Sequence, residues 1–160
     1  MNHWQITKYD PAFRDESGAY RKDEWIAYGD IGYAFDGVAL TYEEYMRTED
    51  CYVAAALAFL KESGAAPRVR VVDPELLYSH FALTNGMHAG GELLETIIRE
   101  NLRSHIWCKL EALPDFYLHF GHDYYMFIGS SNDLAESVQH ARRIGLFVEE
   151  CVSPHWPGTF

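Results

Sequence analysis

The chain has 160 residues, 48% of them hydrophobic and 15% aromatic, which is enough to bury a single-domain core and too aromatic for disorder. Glycine and proline are ordinary in number and no heptad persists, which excludes collagen-like and coiled-coil chains. The formal charge of −11, spread as −6 over residues 1–80 and −5 over residues 81–160, disfavours nucleic acid and anionic membrane surfaces, both held through Lys and Arg, and favours a basic protein or a small cation as partner.

In chain order, residues 3–9 (HWQITKY) alternate and predict a strand. Asp10-Pro11 halts it, because proline has no amide proton to give a ladder. Residues 10–23 are polar and aperiodic, a loop pinned by Phe13 and Tyr20. The aromatic stretch Trp25–Phe35 is interrupted by Gly29 and Gly32, and Asp36-Gly37 between IGYAF and VAL is a hairpin turn pair. Thr41-Tyr-Glu-Glu44 fits a capping box and opens a helix expected to reach Ser63, with Gly64 as its stop and a break near residues 48–50. Cys51–Leu60 is apolar nearly all round, so this helix is expected to be central.

Arg68–Val72 alternates as a strand with Val69 and Val71 on one face, ended by Asp73-Pro74. Residues 75–91 carry Asn85-Gly86 and Gly90-Gly91 and read as a loop. A helix over Gly91–Arg103 puts Leu93, Leu94, Ile97, Ile98 and Leu102 on one face and Glu95 four residues before Arg99. Strands at 105–112, 116–120 and 124–130, joined by turn sequences, predict an antiparallel meander. A final helix starts near Asp133 and ends at Gly145; residues 146–152 form a last strand and SPHWPGTF a loose tail. Helices and strands do not alternate strictly. The expected fold is therefore one α+β domain over residues 1–160, a mixed or largely antiparallel sheet with about three helices against it, and a core holding Val53, Leu57, Leu60, Ile97, Ile98, Trp107 and Phe127.

Cys51, Cys108 and Cys151 are few, odd in number and widely spaced, which argues for a reducing compartment and against a disulfide framework. The N-terminus lacks a secretory pattern, and the longest apolar run is half a membrane span. A cytoplasmic protein is expected.

Two clusters invite chemistry. Arg14, Asp15, Glu16, Asp23 and Glu24 interleave with Phe13, Tyr20 and Trp25, a mix suited to an interface with aromatic anchors and a charged rim. The alternative is acid–base work by those carboxylates, or a charged loop folded over the sheet with its rings buried. His119, His122 and Asp123 are the most metal-like group, although a strand followed by a turn lacks the shared helix face that makes a zinc HExxH motif work. His80, His88 or His105 would be needed to complete the set. Nucleophile elbows and phosphate-loop motifs are absent, and no cofactor signature is present. The aromatic strands at 116–127 place rings on both faces of the sheet, which requires a cover on each face, from helices or from a partner.

The strings WQITKYDPAFRDESGAYRKDEW (Trp4–Trp25), WCKLEA (Trp107–Ala112) and FYLHFGHDYYMFIG (Phe116–Gly129) are similar, in this order, to a pattern in a family of small uncharacterised bacterial proteins. The resemblance implies a bacterial origin and a single domain, and brings with it no activity, cofactor or catalytic residue. The reading adopted is an acidic, non-enzymatic binding module, immunity- or antidote-like toward a basic protein. A small hydrolase or metal-dependent enzyme, using the His119/His122/Asp123 turn or the Arg14–Glu24 loop, and a structural subunit of a homo-oligomer are the alternatives.

Overall fold

Thr41 caps the helix that its sequence predicts. Its hydroxyl accepts from the Glu44 amide and the Glu44 carboxylate accepts from the Thr41 amide, which satisfies two amides the first turn leaves orphaned. The helix then runs without a break as α1 (Tyr42–Ser63), through the residues where an interruption was expected, and stops at Gly64 in the left-handed conformation. In the computed structural model, which describes residues 1–78 and 80–157, the other elements are β1 (Asn2–Thr7), β2 (Ala34–Phe35), β3 (Val38–Ala39), β4 (Val69–Leu76), β5 (His88–Ala89), α2 (Gly91–Leu102), β6 (Ile106–Ala112), β7 (Phe116–Phe120), β8 (Met126–Ser130), α3 (Ala135–Arg143) and β9 (Phe147–Glu150).

Seven strands form one sheet in the order β5-β4-β6-β7-β8-β1-β9, and each of these pairings is antiparallel. The meander β6-β7-β8 is as expected. The chain's first strand closes against β8 and its last against β1. β2 and β3 pair separately as a small hairpin around Asp36-Gly37, both at positive φ, the conformation a tight twisted hairpin turn demands. The fold is α+β.

Alternation sorts the sheet residues. Trp4, Ile6, Val71, Leu110, Leu118, Met126 and Ile128 lie on one face, opposite one another across the strands. They share a single buried cluster with Tyr52, Val53, Phe59 and Leu60 of α1, with Leu94, Ile97 and Ile98 of α2, and with Ala141 of α3. Tyr117 and Phe127 are equally buried but stand outside this cluster, because they point to the second face.

Several expectations are corrected. Leu93 does not share the inward face of α2: it is exposed, one step around the helix from the buried Leu94, Ile97 and Ile98. Leu57 is half-buried, since an all-apolar helix can turn only part of its circumference to the sheet. Trp107 is half-buried on the second face, its indole N–H donating to the Phe120 carbonyl at 2.9 Å. Asp73-Pro74 does not end β4: the strand continues to Leu76 with its register to β6 shifted between Val72 and Glu75, a bulge that tolerates proline. The 75–91 segment is therefore partly strand, with Ser79 outside the described residues. The tail is not loose over its described part. Ser153 is buried, and Trp156 stacks on Tyr117 with ring centroids 4.8 Å apart; residues 158–160 lie outside the described residues.

Candidate functional site

Residues 10–24 fold back on the sheet by satisfying their own charges. Asp10 caps a short turn at Pro11–Phe13. Asp15 accepts from the amides of Ser17 and Ala19 and pairs with Arg21, which holds its carboxyl below the usual range through the Ser17 and Arg21 hydrogen bonds. Arg14 reaches β9 and forms a two-pronged pair with Glu149, both contacts 2.8 Å, the geometry a planar guanidinium favours. Glu24 accepts from Lys8 Nζ at 2.9 Å and from the Tyr20 hydroxyl. Lys8 lies over the rings of Tyr9 and Trp25, 4.3 and 4.2 Å from their centroids. Burial pushes its pKa down to about 8 against the opposing pull of Glu24. Trp25 packs on Tyr45 and Tyr124.

The structure thus separates the expected interface residues. Arg14, Asp15, Tyr20, Glu24 and Trp25 are half-buried and engaged within the chain, whereas Glu16 and Asp23 are exposed. Tyr20 and Trp25 are props under the loop, and more exposed apolar side chains lie further along. Tyr33, Val38 and Tyr42 are 68%, 66% and 52% exposed, with Ile26 beside them in the sequence. They belong to the excursion that leads through the β2–β3 hairpin into the first turn of α1. Asp23 ties this excursion to the loop by accepting from the Asp36 amide at 2.7 Å, and Asp30 accepts from the amides of Ile26 and Ala27. A trough of about 420 Å³ is lined by the carboxylates Asp23, Glu24, Asp36 and Glu44, by Trp25 and Phe35, and by the cations Lys22 and Arg47.

Charge is concentrated in the same stretch. Residues 23–50 contain eight carboxylates and one cation, Arg47, so −7 of the chain's −11 falls there. Comparing the two halves of the chain hides this concentration; a shorter window along the sequence reveals it. Of the eight, Glu49 is fully buried and spends its charge on Tyr45, Arg99 and Arg103. Asp23, Asp36, Glu43, Glu44 and Asp50 are exposed.

His119, His122 and Asp123 do not come together. His119 is buried in β7, while His122 and Asp123 are exposed on the β7–β8 turn. Among the described residues no three His, Cys, Asp or Glu side chains are grouped to hold a metal ion. The turn's backbone is occupied instead by tyrosines: the Asp123 carbonyl accepts from Tyr9 at 2.6 Å and the Tyr124 carbonyl from Tyr52 at 2.7 Å. Imidazole His119 sits between Glu111, 3.1 Å from Nε2, and Ser153, 3.0 Å from Nδ1. This is the hydrogen-bond order of a nucleophile relay, but Ser153 Oγ is fully buried and also receives the His155 amide at 3.1 Å. The group clasps the tail to the sheet. Burial lowers the His119 pKa although Glu111 opposes it. His155 is lowered by burial and by His119, Lys109 and His122, and His3 by burial and the N-terminal amino group.

Compared with protein-family models, curated proteins and solved structures, the chain matches none. No helix among the described residues is long and apolar enough to cross a membrane.

Proposed function

We propose that this protein is an acidic, non-enzymatic binding module that captures a basic protein through the surface of residues 23–50, in the manner of an immunity or antidote protein. The supporting observation is that the chain's densest negative charge shares one stretch with exposed apolar side chains. Tyr33, Val38 and Tyr42 are exposed on the hairpin and the start of α1, in the same stretch as the exposed Asp23, Asp36, Glu43 and Glu44. Apolar anchors inside a charged rim are the anatomy of a protein interface. A trough in which four carboxylates outnumber Lys22 and Arg47, with Trp25 and Phe35 in its lining, suits a Lys or Arg side chain, which gains from aromatic contact and opposite charge.

Charge on the rim sets the encounter rate and buried anchors set the lifetime of a complex. A partner captured from cell extract at low salt and then purified should associate at least about tenfold more slowly at 0.5 M salt than at 0.05 M, because the field is screened within about 4–14 Å over that range. Asp36→Lys with Glu43→Lys and Glu44→Lys should lower the on-rate, and Tyr33→Ala should raise the off-rate. Retention of the same partners by the charge-reversed protein, or capture of acidic proteins alone, refutes the proposal.

A further inference from the structure

Beside β4, two arginines and a histidine line a cleft that shares no residue with the acidic stretch 23–50. β4 sets Arg70 directly opposite His88 of β5 on one side and Glu111 of β6 on the other. Arg68, two residues earlier, falls on the same side of the chain. These four side chains line a cleft of about 370 Å³. A second cleft of about 440 Å³ shares Arg68 and His88 and is otherwise walled by Pro67, Gly90, Gly91 and Leu93.

The charges here are unspent. Lys8, Arg14, Arg21, Arg99, Arg103 and Lys109 each lie in an ion pair. Among the described residues Arg68 and Arg70, like Lys22, Arg47, Lys61, Arg142 and Arg143, lie in none; these two are exposed and line the same cleft. The carboxylate in the cleft, Glu111, is buried and has one oxygen on His119 Nε2, so the cations are the more accessible groups. Arg68 is also placed, not merely present: a Cβ on Gly90 would stand 2.9 Å from both Arg68 Cγ and the Pro67 carbonyl oxygen, so only glycine lets the arginine stem lie across that loop. Two guanidiniums and an imidazole converging on one cleft offer donors for several oxygens of a single anion, which suits a phosphate better than a carboxylate. The adjoining cleft shares Arg68 and His88 with it and adds the apolar side chains of Pro67 and Leu93. Together the two volumes fall in the range of small-molecule sites.

We propose that these clefts bind a small phosphorylated molecule, its phosphate on Arg68, Arg70 and His88 and its organic part over Pro67, Gly90, Gly91 and Leu93. The site is independent of the acidic face. The test is an NMR titration of the full chain with inorganic phosphate and, separately, with phenyl phosphate. Saturable shifts are expected at residues 66–70, 88–93 and 111–113, with phenyl phosphate binding about tenfold tighter than phosphate because only it carries a ring to lie against Pro67 and Leu93. Arg68→Ala and Arg70→Ala, chosen because neither residue contributes to the core, should each weaken phenyl phosphate about tenfold at unchanged melting temperature, the loss expected for one charge-assisted contact. Absence of saturation, shifts elsewhere in the chain, equal binding of the two probes, or unchanged affinity in both arginine variants overturns the proposal.

Discussion

Glu49 carries its charge in a place where a lone carboxylate would be neutral. Burial pushes its pKa upward, but hydrogen bonds from Arg103, Tyr45 and Arg99 outweigh that and hold the carboxyl below its usual range. Arg99 and Arg103 reach it from α2 and its C-terminal cap, at 2.9 and 2.7 Å, so one side chain fastens α1 to α2. Removing one member of such a set leaves partly buried cations without compensation. Glu49→Ala is expected to cost about 3–5 kcal/mol in denaturant unfolding, more than Glu95→Ala, whose contact with Arg99 lies at the half-exposed margin. Equal costs for the two substitutions would show that the cluster stabilises no more than a surface pair. Tyr124 and Gly129 make the same point by shape. Tyr124 turns inward from a positive φ of 66° to reach Tyr45, and a Cβ on Gly129 would fall inside the ring of Tyr117. Neither requirement is legible in the sequence, since both depend on what lies across the strand.

At the scale of the element, α1 was readable because its signals are local. Thr41, Glu44 and Gly64 act on the backbone within a turn of themselves. Thr41→Ala should cost about 1 kcal/mol and lower the melting temperature by about 2–4 °C, as a chain of this size does per kcal/mol. A drop as large as that from Glu49→Ala would mean that Thr41 also supports the hairpin before it. The N-terminus of α3 is a contrasting case. Its cap comes from α1, where Glu62 accepts from the amides of Glu136 and Ser137, a partner 74 residues away that no local pattern reveals. β4 was misjudged for a related reason. Pro74 ends a strand in isolation, but Asp73 takes a positive φ and is tied by its amide to Asn85 and by its carboxylate to Lys109, so the bulge is built from both neighbours.

Across the whole molecule, the question is what covers the second face of the sheet. The chain covers part of it with its own end. Trp156 stacks on Tyr117, His155 meets Trp107, and Ser153 is bound to His119. His3, from the opposite terminus, bonds the Tyr117 hydroxyl at 2.8 Å. His3, His119 and His155 all have pKa values lowered from 6.5. A lowered folded-state pKa means that the unfolded chain binds more protons just below pH 6.5, so the stability these neutral rings support is complete above that pH and falls as the pH drops through the window beneath it. Glu49 adds a second loss, beginning below its ordinary value of 4.5. The urea midpoint should therefore fall from pH 7 to pH 5, and His119→Asn, which keeps a polar side chain for Ser153, should flatten that slope. A midpoint independent of pH between 5 and 7, in the parent protein, is the contrary result.

What the sequence determined by itself is what short-range chemistry determines: the alternation of the strands, the capping box, the Asp36-Gly37 turn, the amphipathic face of α2, and from their order an α+β fold. Charge was readable as well, down to its concentration in residues 23–50. Only the tertiary structure decided which aromatic residues are exposed and which are packed. Trp25 and Tyr20 resemble Tyr33 and Tyr42 as residue types, but Trp25 rests on Lys8, Tyr45 and Tyr124 and Tyr20 on Tyr9, whereas Tyr33 and Tyr42 stay more than half exposed. The same holds for His119, which resembles a ligand beside His122 and Asp123 until the fold sets Glu111 and Ser153 against its two nitrogens. Burial is a property of neighbours brought together by long-range packing, and a residue's own identity carries no record of them.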